Sequence, residues 1–109
     1  MIDWERVAEL RSEIGAEGFA EVLELFLDEV ENVVMNLGHK PEKLGDELHF
    51  LKGSAWNLGF RDFGAACQDG ERRCAAGNGA TVDVAAVIDC YSRSKDVFMG
   101  RVDEFLSAA

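Results

Sequence analysis

The chain has 109 residues, enough for one folded core and too few for two. Hydrophobic residues make up 48% and there is one proline, which excludes a disordered chain. The formal net charge of −10 repels phosphate backbones and anionic lipid, which argues against nucleic-acid and membrane-surface partners.

Glycines and the single proline cut the sequence into five helical pieces. The first runs from Asp3, a plausible N-cap, to Glu13, with Trp4, Val7, Leu10 and Ile14 on one face. Gly15 and Gly18 interrupt it. The second runs from Glu17 to Leu37, and Phe19, Val22, Leu23, Phe26, Val30, Val33, Val34 and Leu37 keep the helical spacing. Its acidic residues, among them Glu21, Glu24, Asp28 and Glu31, read as a solvated face. Gly38 ends it, and His39 falls in the following turn as a solvated loop histidine.

Pro41 suits the first turn of a third helix reaching Leu58, with the stripe Leu44, Leu48, Leu51, Ala55 and Leu58, closed by Gly59. A fourth spans Arg61 to Ala76 and carries Phe63, Cys67, Gly70 and Cys74. The fifth starts after Thr81 as N-cap and continues to Leu106 through Val84, Val87, Ile88, Tyr91, Phe98, Val102 and Phe105. No segment alternates with a strand's period of two. The expected fold is all-α, an antiparallel four-helix bundle with a short N-terminal capping helix. One domain over 1–109 is expected, and a monomer, since four long helices can bury one another's stripes.

No apolar run reaches the length of a membrane span, and the opening MIDWERVAEL lacks a signal pattern. The expected location is the cytoplasm. The three cysteines have no CxxC spacing. Cys67 and Cys74 lie two turns apart, about 10 Å, too far for a disulfide. They and Cys90 are expected as buried reduced thiols, with no zinc-site spacing to the histidines.

The stretch LHFLKGSAWNLGF sets one histidine inside the third helix. At about 100° per residue, the leucine stripe falls within about 40° of one direction and His49 near 140° from it. His49 is therefore outside the core. Gly45 and Gly53 lie one turn below and one turn above it, Lys52 at +3 and Trp56 at +7. Each mid-helix glycine costs about 0.5–1 kcal/mol relative to alanine, so two beside one histidine need a reason. Two missing Cβ atoms leave the imidazole clear for a bulky partner, and Lys52 adds a charge for phosphate oxygens. Imidazole, with an ordinary pKa of about 6.5, offers a neutral nitrogen that attacks phosphorus and later gives the group up. A lone surface histidine would carry no such reading; the flanking residues supply it.

His49-Phe50-Leu51-Lys52-Gly53-Ser54, followed by Leu58-Gly59, resembles the signature of histidine-containing phosphotransfer (HPt) domains. Cys67 and Glu71 match the small or cysteine residue and the Glu or Gln on that family's next helix, and the helix order fits. The resemblance implies a phosphorelay intermediate between aspartates of response-regulator receiver domains, including those of a hybrid histidine kinase. It implies no kinase activity, no cofactor on this chain, and Mg²⁺ held by the receiver. His49 would carry the phosphoryl group, Lys52 would stabilise its oxygens, Gly53 would keep the approach open, and Glu71 would orient the ring. Gly45, Phe50 and Trp56 are the candidate docking positions. Trp56 and Phe50 fit either docking or peripheral packing, as Trp4 and Val7 fit either a core lid or a docking surface. Gly70 departs from the family, which commonly has leucine there.

Two other readings compete. A docking adaptor with the same fold would be expected to lose His49, Lys52 or Gly53, and all are present. A haem or di-metal bundle needs inward histidines or Glu-x-x-His spacing, and Glu47 stands two before His49.

Overall fold

The computed structural model describes residues 1–106. In chain order these form α1 (Trp4–Met35), α2 (Leu44–Leu58), α3 (Arg61–Ala75), α4 (Val84–Met99) and α5 (Asp103–Leu106). Short 3-10 turns, Pro41–Lys43 and Gly79–Thr81, precede α2 and α4. Among the described residues there is no strand, only a single antiparallel bridge between Ile2 and Phe60. The molecule is an all-α bundle, as the periodicity predicts.

α1 breaks sharply at Gly15, whose φ of 81° and ψ of 156° suit glycine alone. The helix resumes at once, and Gly18 lies inside it. Residues 4–14 therefore form an arm folded across one end of the bundle, and 16–35 form a bundle helix. The Asp3 carboxylate accepts from the Arg6 amide at 3.2 Å and caps the arm. The Asp3 amide donates to the Gly59 carbonyl at 2.7 Å, and the Arg61 amide donates to the Met1 carbonyl at 3.1 Å. Arg6 Nε reaches the Asn57 carbonyl at 3.1 Å. These bonds tie the arm to the α2–α3 turn. Gly59 closes α2 in the left-handed region at φ 85°, and a Cβ there would stand 2.7 Å from the Asp3 carbonyl oxygen.

Trp4 stacks on Phe98 and Phe105, at 5.7 and 5.4 Å between ring centroids, with Arg101 over its face. Val7 is fully buried. Both residues are the lid of the core. The stripe residues Leu48, Leu51, Phe63, Cys67 and Phe98 are also fully enclosed. Phe60, between two predicted helices, is as deeply buried as any of them.

Several boundaries differ from the sequence expectation. α4 is capped by Asp83, whose carboxylate accepts from the Ala86 amide at 3.0 Å. Thr81 is not the cap, because its hydroxyl donates to the Asn78 carbonyl at 2.6 Å. α4 ends at Met99 rather than running to Leu106, with a turn before α5. Pro41 opens a 3-10 turn, so α2 proper begins at Leu44. Glu31 is not simply solvated. Its carboxylate accepts from the Tyr91 hydroxyl at 2.8 Å and pairs with Lys95, joining α1 to α4.

α2 and α3 run antiparallel and pack closely because glycines remove side chains from the contact. A Cβ at Gly45 would lie 3.3 Å from Cys74 Cβ, one at Gly64 2.8 Å from the Trp56 ring, and one at Gly70 2.8 Å from Leu48 Cδ1. Gly70 is buried against Leu48 and Val82, which explains the absence of a leucine there. Gly70→Leu should therefore cost about 2 kcal/mol or more through overpacking. In a domain of this size that is a fall in Tm on the order of 10 °C, read by circular dichroism. An unchanged Tm would mean that α2 and α3 have room to spare.

Candidate functional site

His49 lies on the outer side of α2, with its side chain 70% exposed. Its Nδ1 is 2.6 Å from Glu71 Oε2 on α3. The other oxygen of the same carboxylate, Oε1, is 2.6 Å from Lys52 Nζ. Lys52 is one turn after His49 on α2, so Glu71 bridges two side chains of the facing helix. The signature residues His49, Lys52 and Glu71 thus form one connected group.

Lys52 and, opposing it, burial act on the Glu71 carboxyl, with a smaller contribution from His49; the balance holds its pKa below the ordinary 4.5. Glu71 is therefore an anion at neutral pH, and an ionised carboxylate only accepts hydrogen bonds. A neutral imidazole facing it at 2.6 Å must donate, so Nδ1 carries the ring proton. Nε2 is then left with its lone pair, on the side of the ring away from Glu71. The group holds one nitrogen and frees the other.

The two glycines around His49 have different surroundings. A Cβ at Gly53 would meet nothing within 4 Å, so this position opens onto free space beside the ring. Gly45 instead gives its missing Cβ to the contact with Cys74, a packing reason for a glycine that the sequence pairs with Gly53. Gly45 also lines, with Asp46 and Cys74, an open hollow next to the ring.

Phe50 and Trp56 are each 40% exposed, with Trp56 lying against Gly64 of α3. Each therefore shows both packing and an open surface. His39 is exposed in the loop after α1. Cys67 is enclosed, and burial pushes its thiol up to about 12, which leaves it unreactive. Cys74 and Cys90 are only partly buried, unlike the expected core thiols. Among the described residues no three His, Cys, Asp or Glu side chains converge as metal ligands, and both histidines face outward. No helix among them is long and apolar enough to cross a membrane.

The Glu71 carboxyl titrates lower in the folded chain than unfolded, so its stabilising share is present above its ordinary 4.5 and lost as pH falls through the folded value. Lys52→Met removes the largest cause of that lowering. The stability lost between pH 6 and pH 3, from urea denaturation, should be smaller in this variant than in the natural chain. An identical acid loss would mean that the pair contributes nothing to the fold.

The Hpt domain family model matches residues 21–108, a span that contains His49, Lys52, Gly53 and Glu71. No curated protein and no solved structure is a match. With most of the chain covered and the histidine exposed on a helical bundle, the protein belongs to the Hpt domain family, the histidine phosphotransfer modules of two-component phosphorelay signalling.

Proposed function

We propose that this protein is a phosphorelay intermediate that carries a phosphoryl group on Nε2 of His49 between aspartates of receiver domains. The observation that supports this most is the exposed ring anchored through Nδ1 to Glu71, because it leaves Nε2 as the free nucleophile. In the accepting direction the Nε2 lone pair attacks the phosphorus of a receiver's aspartyl phosphate. The Nε2–P bond forms as the P–O bond to the aspartate breaks, and the aspartate leaves as a carboxylate. The ring becomes positively charged with its proton still on Nδ1, and the Glu71 anion offsets that charge. In the donating direction a second receiver's carboxylate attacks the phosphorus, and Nε2 leaves as neutral imidazole.

Lys52 supplies a charge near the oxygens of the transferred group, and Gly53 leaves the approach free for the partner's loops. Gly45, Phe50 and Trp56 border that approach as docking positions. The chain contributes no cofactor, and Mg²⁺ is the receiver's. We read residues 1–109 as one such unit, acting as a monomer in the cytoplasm with response-regulator receivers and a hybrid histidine kinase as partners.

Incubation with a small phosphoramidate donor and Mg²⁺ should add one acid-labile phosphoryl group to the natural chain and none to His49→Gln, by intact mass. The His49→Gln variant should melt within a few degrees of the natural chain, because an exposed ring gives about ±0.5 kcal/mol. Labelling of the variant would place the acceptor elsewhere. Gly53→Gln should fold, since its side chain enters open space, and should slow transfer from a phosphorylated receiver about tenfold or more. Unchanged transfer would refute the open-approach role.

A further inference from the structure

We infer that Trp56, pinned on α3 by the missing side chain of Gly64, is a preformed anchor for the receiver domain; this rests on the phosphocarrier reading above. Trp56 stands two turns beyond His49 on the same edge of α2, about 10 Å along the axis. Gly53 lies between them with open space beside it. The three positions form one uninterrupted approach.

The Trp56 ring is held in a definite place. A Cβ on Gly64 would fall 2.8 Å from both Cε3 and Cζ3 of the indole and 3.0 Å from Cδ2. The six-membered ring therefore occupies the space where a side chain of α3 would be, while the residue remains 40% exposed. Part of the ring is packed and the rest is open to a partner. A large ring with two torsions, already fixed against a backbone, loses little freedom when a partner covers it. Exposed aromatics of this kind supply a disproportionate share of interface energy.

The occupant follows from the size of a protein contact. A standard interface covers about 800 Å² on each partner, a disc of radius about 16 Å. A receiver centred on His49 must cover a point about 10 Å away on the same open edge. The indole then lies inside the receiver's footprint. Gly64 acts as a positioning residue, reaching the partner only through Trp56.

The test is transfer from a phosphorylated receiver, with rates taken over a range of receiver concentration. Trp56→Ala should raise KM at least fivefold and leave kcat within about twofold, while Trp56→Phe keeps most of the affinity. Gly64→Ala should shift the Trp56 indole N–H resonance and raise KM with the tryptophan still present. An unchanged KM in Trp56→Ala, or a fall in kcat alone, overturns the docking role. A shifted resonance with an unchanged KM in Gly64→Ala overturns the positioning role. Labelling of the natural chain by the small phosphoramidate donor separates docking at Trp56 from phosphoryl transfer to His49. A labelled natural chain with normal KM in Trp56→Ala sinks the anchor alone, whereas no labelling from either donor sinks the phosphocarrier reading.

Discussion

The close approach of α2 and α3 is the constraint on which the site depends. A carboxylate reaches across a helix pair to contact two side chains only if the backbones come near enough. Here Gly45, Gly64 and Gly70 remove the side chains that would hold the helices apart, and Cys74, Trp56 and Leu48 fill the space. The partners on α2 fall in number as those on α3 rise, which is the register of an antiparallel pair. Glu71 follows Gly70 directly, so the residue that lets the helices meet is next to the one that bonds His49 and Lys52. The arm at residues 4–14 secures the other end of this pair through Asp3, Gly59 and Arg6.

Electrostatics complete the arrangement. One anion between an imidazole and an ammonium group stays ionised, and an ionised carboxylate fixes the tautomer of the ring it faces. A net charge of −10 would otherwise disfavour a phosphoryl group anywhere on the surface. Lys52 is a positive charge one turn from His49, drawn toward α3 by Glu71. On the proposed reading the chemistry rests on three side chains and an open glycine.

Much of the fold was legible because helical burial repeats along the chain. The leucines of α2 and the partners of Phe98 on α4 are buried where the period puts them, and His49 is exposed where the wheel puts it. What escaped is information between helices. A glycine in a helical pattern does not reveal whether the chain stops, as after Leu58, or turns and continues, as at Gly15. Nor does it say whether the missing side chain serves a partner molecule, as argued for Gly53, or a neighbouring helix, as at Gly45 and Gly64. A single buried residue between helices, such as Phe60, has no period to reveal it. Glu31 looks solvated in the sequence because its partners Tyr91 and Lys95 lie sixty residues away and more on α4. The geometry of Glu71 was reachable only through the family resemblance, since nothing in the spacing of α3 alone points at His49.

If Glu71 holds Nδ1, Nε2 is the atom that carries the phosphoryl group. This is tested most directly by ¹⁵N and ³¹P NMR of the histidine-labelled protein after phosphorylation. The account predicts phosphorus bonded to Nε2 of His49, with the proton remaining on Nδ1. Phosphorus on Nδ1 would contradict it, because that nitrogen could not then donate to Glu71.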